Sequence, residues 1–589
     1  MKYRWTLALP QPLLAGQLAN QLKLPPLLVQ CLLNRDFTAP EPITAFLQPR
    51  LKSLADPFLL PDMTVAVDRL MLARERHERV VIFGDYDVDG VTSTALLLEV
   101  LHRLGWSVEY YLPHRMDEGY GLSQDAVENC LRKVPASLLL AVDCGSTTVS
   151  SIAWLRQQAV DVIVLDHHQV SAPAPAATAL VNPHRPSTSG DVARESAAPC
   201  GKVAFAELCS VGLAFKLAHA LVKRGRETSL PGAADFDLRP LLDLVALGTI
   251  ADIVSLTGEN RILVSAGLKR LNTTSRPGLV ALKQIAQCNS PLGTYEAGFQ
   301  LAPRLNAAGR LETAETSLRL LLARDMSEAM PLAQALDADN RERQKLERGI
   351  ADQAIAAVNA RFNPVNDFVI VEGKADWHVG VVGIVAARLL QRYYRPTIVV
   401  GGDGELWRGS GRSIPGFDLA AALRQCGDLL VRHGGHALAA GLTIRPDNFE
   451  PFRARLNELA ASALKAEALE PPLRLDAEVG LEEITLESLA CLGQLWPTGQ
   501  GNPAVQFCAR NLIHQRPLQR LGAEKQHVKM WITDGSTTHE AVWWGGGNES
   551  LPVGRFDLAF APQVNDYNGR RSVQLKVLDW RGAEKGLSM

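Results

Sequence analysis

The sequence predicts an α/β protein in which two α/β domains are joined by a long helical connector and followed by an all-β C-terminal domain. Three patterns in the 589 residues lead to this expectation. Short continuous runs of β-branched residues and leucine alternate with helical stretches over 79–165 and again over 367–402, as in parallel sheets covered on both faces. Residues 314–361 carry helical character throughout, interrupted only by Pro331. Beyond Pro471-Pro472 the apolar residues fall into strand-length segments, and Asn568-Gly569 marks a hairpin.

Taken in order, residues 1–65 are rich in Leu and Pro and form an N-terminal helical extension. Residues 66–313 make the first α/β domain, with strands RVVIF (79–83), SVEYYL (107–112), SLLLAV (137–142) and DVIVL (161–165) and a helix in VTSTALLLEVLHRL. Its segment 186–202 is small, polar and proline-bearing, and reads as an exposed loop or insertion. Residues 314–362 are the connector. Residues 363–470 repeat the α/β scheme with DFVIVEG (367–373), helical VGVVGIVAARLLQRYY and PTIVVGG (396–402). Residues 471–589 hold QHVKMWIT, HEAVWW, RFDLAFA and SVQLKVLDW, enough for a small barrel or sandwich.

Composition narrows the function. With 61 basic and 63 acidic side chains the net charge is −2, so any polyanion site must be a local basic cleft. A hydrophobic content of 47% argues against a largely disordered chain, and no apolar run reaches membrane-spanning length. Pro10 and Pro12 break the only stretch that imitates a signal peptide. The 9 cysteines are odd in number and lack any C-x-x-C pair, which argues against a disulfide framework and a cysteine zinc site and points to a reducing cytoplasm.

The carboxylates and imidazoles fall where a parallel sheet would gather them. Asp85, Asp87 and Asp89 directly follow RVVIF, Asp143 directly follows SLLLAV, and Asp166, His167 and His168 directly follow DVIVL. In open α/β sheets ligands bind outside the carboxyl ends of the strands, so three strands can deliver these groups to one point. Four or more carboxylates held together repel one another and are forced to take up protons, whereas two divalent ions neutralise them. Carboxylate oxygens with a few imidazoles suit Mn2+ or Mg2+ better than a thiolate-preferring metal. Two such ions about 3.5–4 Å apart clamp the attacking and leaving oxygens of a phosphoryl displacement, which points to phosphoester or phosphoanhydride hydrolysis.

Each piece also has a plainer reading. DYDVDG serves equally as an acidic turn or a calcium loop, although an EF-hand beginning at Asp85 needs Glu at its twelfth position, where Leu96 stands. His167-His168 can be a helix cap or surface pair, and Asp143 can cap a turn. Their shared position at strand ends favours the metal centre.

In this order, FGDYDVDGVTS, VDCG and LDHHQ resemble the DHH phosphoesterase superfamily, named for the Asp166-His167-His168 signature. LLDLVALGTIADIVSLTGENR (241–261), APRLNAAGRLETA (302–314) and DWHVGVVGIVAARL (376–389) narrow the resemblance to its branch of single-strand-specific exonucleases. GSGRSIPGFDL (409–419) and HGGHALAAG (433–441) are similar to the DHH-associated domain, and LWPTGQGNPAVQF (495–507) to the opening of an OB fold.

That resemblance implies that Asp87, Asp89, Asp143, His167 and Asp252 hold two divalent cations, Mn2+ or Mg2+, with Asp143 shared, while Asp85, also counted among the metal-site residues, and His168 stand either behind these ligands or near the scissile phosphate. By pattern alone Asp252 is only a cap after a helical run. The resemblance also implies phosphate binding by Arg310, Ser410, Arg412, Gly435 and His436, since guanidinium forks grip phosphate bidentately and glycine lets the backbone approach it. Arg304 either contacts DNA or, with Asn306, orders its loop. Arg341, Arg343 and Lys345 would floor a slot that admits one backbone and not a duplex, and Lys529, Trp531, Tyr567, Arg570, Arg571 and Lys576 are candidates for an OB-type single-strand site.

The implied activity releases 5′-mononucleotides from the 5′ end of single-stranded DNA during recombination and repair, alongside single-strand-binding protein and a RecQ-type helicase. Thr498 stands where the family commonly has an aromatic residue, and 186–202 lengthens the separation of His167 from Asp252. Two other readings stay open. One is a DHH hydrolase of oligoribonucleotides or cyclic dinucleotides, which usually lacks an OB extension. The other is a non-catalytic DNA-binding replication scaffold, against which the retention of every candidate ligand argues.

Overall fold

The computed structural model describes residues 3–114, 118–119, 121–185, 205–288, 291–311, 313–402, 404–567 and 569–583, so the stretch 186–202 lies outside the described residues. The first domain is built on five parallel strands, β1 (Arg79–Gly84), β2 (Ser107–Tyr111), β3 (Leu138–Val142), β4 (Asp161–Leu165) and β5 (Ala179–Val181), in the order 2-1-3-4-5. Their unbroken apolar runs serve two cores at once. Val80, Ile82, Leu138, Leu140 and Ile163 point into one core, while Val81, Phe83, Leu139, Ala141 and Val162 point into the other. The strand order reverses between β1 and β3, and at such a switch point a ligand crevice opens beyond the strand ends.

Among the helices of this half are α1 (Val88–Arg103), α2 (Ser210–Glu227), α3 (Leu242–Ala251), α4 (Gly258–Asn272) and α5 (Ala302–Leu311). The helical tract expected over 314–361 divides at 323–325 rather than at Pro331. Asp325 accepts a hydrogen bond from Glu328 N and caps the 36-residue α6 (Met326–Arg361), whose second turn absorbs the proline.

The second sheet is mixed, in the order β9-β10-β8-β7-β6, from β6 (Ile370–Lys374), β7 (Thr397–Gly401), β8 (Trp407–Arg412), β9 (Leu430–Gly435) and β10 (Ala439–Ile444), with α7 (Val382–Tyr393) against it. Only β6 and β7 are parallel; the glycine-rich motifs at 409–419 and 433–441 hold antiparallel strands that composition hides. The C-terminal strands β11 (Phe507–Leu521), β12 (His527–Thr533), β13 (Thr538–Trp543), β14 (Phe556–Tyr567) and β15 (Arg570–Gly582) run in the order 11-12-13-15-14, and β14 returns to β11. This closed five-stranded barrel, with β13 and β15 parallel, is the OB fold.

The N-terminal extension joins two cores instead of standing apart. Helices Pro12–Leu22, Pro26–Leu33 and Pro40–Leu47 each carry proline in the first turn, where its missing N–H costs nothing, and Leu32, Ile43 and Phe46 share a core with Phe507, Met530 and Phe560 of the barrel. Strand Arg4–Leu7 pairs in parallel with Pro472–Leu475. Farther on, Leu60, Met63 and Val67 enter the core of the first domain. Between these regions, fully buried Lys216 pairs with Glu259 at 2.7 Å and donates to Ala55 O at 2.9 Å, while Glu259 accepts from Ala55 N at 2.6 Å.

Replacing Glu259 by Ala leaves the Lys216 ammonium buried and unpaired, which costs about 3–5 kcal/mol. Urea unfolding of Glu259→Ala, followed by far-ultraviolet circular dichroism, should show a transition at clearly lower denaturant than the parent; coincident curves would refute this.

Candidate active site

The site is laid out by strand register. Gly84, Val142 and Leu165 are aligned across β1, β3 and β4, so the next residues, Asp85, Asp143 and Asp166, emerge side by side from one sheet edge. Asp143 N continues the ladder to Leu165 O at 3.0 Å, and the residue then turns into the left-handed region with φ 65°. Aspartate tolerates that conformation better than most residues. Asp87 caps α1 by accepting from Gly90 N, and Asp89 follows in the first turn. The start of α2 faces Asp89, with Ser210 N and Val211 N donating to its two oxygens at 2.7 and 2.8 Å, where helix-terminal N–H groups need acceptors. Ser210 Oγ donates to Asp143 at 2.8 Å. Asp252 arrives from the end of α3.

These groups meet at His167. Its Nε2 lies 3.4 Å from Asp252, 3.5 Å from Asp143 and 3.9 Å from Asp89. His167 Nε2 and Asp252 Oδ2 are both buried and without hydrogen-bond partners among the described residues. Donors about 2.1 Å from one Mg2+ ion stand about 3.0 Å apart at right angles, so small side-chain shifts would close this set on a cation. Asp85, Asp87 and Asp143 form a second such set, and Asp143 belongs to both neighbourhoods. The donors present thus suit a hard divalent cation.

Electrostatics tell the same story. Burial, and then the charge of Asp87, push Asp89 up to about 7. Burial, with Asp89 and Asp87, pushes Asp252 up to about 9, and Asp143 is driven well above the usual carboxylate range by burial and by Asp87 and Asp89. Adjacent histidines diverge. Burial and neighbouring His168 push His167 down to about 4, keeping it neutral as a metal ligand must be. Burial disfavours charge on His168 as well, but its Nδ1 lies 2.7 Å from Asp166, which raises it to about 9. Asp166 is held below its ordinary range despite burial, by His168 and by Ser146 N.

Helix α5 links this centre to the second sheet. Asn306 Oδ1 accepts from Val88 N at 3.1 Å, a Cβ on Gly309 would press on Tyr86 O, and the Arg310 guanidinium donates to Gly380 O at 3.4 Å. Across from it on β8, Arg412 donates to Ser410 Oγ at 2.9 Å, both aimed at Gly383 in the first turn of α7. Gly435 has φ 132°, and a Cβ there would strike Ala440 and its preceding carbonyl. His436 beside it is exposed, with its N–H given to Ala439 O.

The outlying candidates separate into two groups. Arg304 lies on helix α5 and not in the loop expected for it, and it is spent on Asp337 and Gln300 O. Arg343 is buried against Glu347 and Asn340, so it packs the connector and does not floor a slot. Arg341 and Lys345 are exposed and line a groove of about 550 Å³ with Gln353, Trp377 and His378. In the barrel, Trp531 is half-buried under the Arg516 guanidinium at 4.5 Å and Lys529 at 5.2 Å. Arg570, Arg571 and Lys576 are exposed on β15, and Tyr567 is opposite Arg570. Sequence reasoning missed Ser210, which lies after the polar stretch with no motif around it; serine at a helix start was the one available signal.

Residues 79–249 match the DHH family N-terminal domain, 366–462 the DHHA1 domain and 475–579 the RecJ OB domain. The chain is 37% identical over 584 residues to the single-stranded-DNA-specific exonuclease RecJ of Bacillus subtilis, covering 98% of this chain and 71% of that one. It is 34% identical to the protein of the same name from Escherichia coli, over 87% of this chain and 89% of that one. Among solved structures, RecJ of Thermus thermophilus in complex with Mn2+ superposes with a TM-score of 0.82 at 29% identity, covering 99% of this chain and 80% of that one. This level of similarity lies with the exonucleases and not with the oligonucleotide-hydrolase or scaffold alternatives.

A pH dependence follows from the cluster. Asp89 and Asp252 bind protons more tightly folded than unfolded, where carboxylates ionise near pH 4. Their contribution to stability is therefore complete below about pH 4 and is lost as pH rises through about 7 to 9. In EDTA, the urea midpoint should fall over that range, Asp252→Asn should flatten the fall, and Mn2+ should reverse it with proton release measurable by calorimetry. A midpoint independent of pH in EDTA would contradict it.

Proposed function

Because the chain belongs to the RecJ family of single-stranded-DNA-specific exonucleases, we propose that it degrades single strands from the 5′ end, one nucleotide at a time, using the cluster around His167. The single observation that carries this reading is the meeting of Asp89, Asp143, His167 and Asp252 from four separate stretches of the chain.

Asp85, Asp87, Asp89, Asp143, His167 and Asp252 would hold two Mn2+ or Mg2+ ions, Asp143 belonging to more than one of the donor groups. Bound there, the ions supply Lewis acidity toward the scissile phosphate and acidify the attacking water. His168, kept cationic by Asp166, is assigned to a phosphate oxygen, where its Nε2–H offsets negative charge as it develops. Arg310, Ser410, Arg412, Gly435 and His436 are assigned to the terminal phosphate. With the end held there and α5 fixing its distance from the cluster, each cycle would cut one phosphodiester bond and release a 5′-mononucleotide. The strand behind the cut would follow the groove at Arg341 and Lys345 toward Trp531 of the barrel, where bases can stack.

No helix among the described residues is long and apolar enough to cross a membrane. The eight described cysteines are all free, which supports a reducing cytoplasm as the place of action. Recombination and repair, with single-strand-binding protein and a RecQ-type helicase supplying the strand, is the setting proposed from the family.

Asp143→Ala should abolish hydrolysis of single-stranded DNA while leaving its affinity within about twofold in EDTA. On strands labelled at either end, the parent with Mn2+ should release the 5′ label first as mononucleotide, spare blunt duplex and stop in EDTA. Release of the 3′ label first would reject the polarity, and normal turnover by Asp143→Ala would reject the site.

A further inference from the structure

The residues after Asp252 pack against the entry loop of the C-terminal barrel. Ile253 has φ 61° although it is β-branched, and it is 70% exposed, so nothing in its own side chain holds that strained turn. Within the same domain Asn260 Nδ2 donates to Ser255 O at 3.0 Å, and the loop Trp496–Asn502 supplies the contacts from the other side. Leu256 N donates to Gln500 O at 2.8 Å. Gly501, at φ 71°, lies so close to Ser255 that a Cβ would overlap the serine hydroxyl, and a Cβ on Gly499 would stand 2.7 Å from the Leu256 side chain. Thr294 Oγ1 fixes the loop's other side by donating to Thr498 O at 2.8 Å.

Arg261, on α4 and 2% exposed, locks the loop in this shape. Its guanidinium donates to Leu495 O at 2.9 Å, to Gln494 O and Trp496 O at 3.0 Å, and to Phe46 O at 2.7 Å, and it stacks 3.7 Å from the Phe46 ring. Among the described residues it pairs with backbone carbonyls and no carboxylate. A buried guanidinium is tolerated only where acceptors converge on its fork, so these carbonyls are fixed by it as much as it is by them. Asn502 closes the loop from within, donating to Leu495 O and Pro497 O at 2.8 Å.

We propose that the loop Trp496–Asn502, locked by Arg261, is a positioning element for Asp252, so that the barrel sets the geometry of cleavage in addition to binding the strand. The proposal rests on Asp252 being a metal ligand. It also means that removing residues from 472 onward would damage hydrolysis of every substrate, short ones included, because Arg261 and the Ser255 turn would lose their partners.

The test uses the full chain with Gly501→Ala, Gly501→Ala combined with Ser255→Ala, and Arg261→Lys. Three quantities are read: Mn2+ binding by calorimetry, kcat and KM on a tetranucleotide too short to reach the barrel face, and affinity for a long single strand in EDTA. Gly501→Ala should weaken Mn2+ binding by about tenfold or more and lower kcat by about a hundredfold, with KM and long-strand affinity within about twofold. Removing the Ser255 hydroxyl relieves the overlap and should recover most of both losses. Arg261→Lys keeps the charge without the fork and should show the same split; if Gly501→Ala does not fold, this variant decides. Unchanged Mn2+ binding and kcat in the folded variants, or a double variant no better than Gly501→Ala, overturns the proposal. Asp252→Asn separates the two claims, since an unaltered Mn2+ isotherm in that variant would refute the ligand assignment itself.

Discussion

Asp89, Asp143 and Asp252 approach His167 from different parts of the chain, and such a set is stable only when positive charge comes to it. Much of the first domain can be understood as the means of keeping them there in the meantime. The start of α2 gives Asp89 two backbone N–H groups, Ser210 adds a hydroxyl to Asp143, and the protons retained by the carboxylates dilute the remaining repulsion. The neighbouring histidines show how finely environment divides the work. One ring sits among carboxylates yet stays neutral because burial outweighs them, while the other faces Asp166 and keeps its charge.

Helix α5 acts as a spacer between two kinds of chemistry. One of its residues ties to the DYDVDG turn through Asn306, another to the associated domain through Arg310, and Arg304 fastens it to the connector through Asp337. The NAAGR segment is therefore less a collection of substrate contacts than a rigid bar whose ends lie at a carboxylate cluster and a basic, glycine-lined pocket. Gly309 permits its close approach to Tyr86.

The parallel sheet was legible because a strand buried on both faces is apolar along its buried length, as VVIF, LLLAV and VIVL are. The ligands that directly follow strands were legible for the same reason, since strand ends have a fixed address in this fold. Asp252 follows a helix, so only the family resemblance pointed to it, and its distance from His167 is set by packing that no local pattern encodes. The antiparallel strands β8 to β10 were hidden by glycines that serve close backbone approach, a property that reads as turn in a sequence. The 15-residue strand β11 was hidden for another reason: it bends through register shifts and exposes much of one face, so its alternation is broken. Nothing local in GENR marks Arg261, because its acceptors are carbonyls more than 200 residues away in sequence.

Pairing of Arg4–Leu7 with Pro472–Leu475, and the shared packing of Phe46 with the barrel, make the N-terminal helices depend on a part of the chain that is synthesised long after them. Three short amphipathic helices must wait, their apolar sides uncovered, while the two α/β domains are synthesised and close. Until then this segment has apolar surface with no partner to cover it. Maturation would end with a late docking step whose rate reflects the closure of a very long loop.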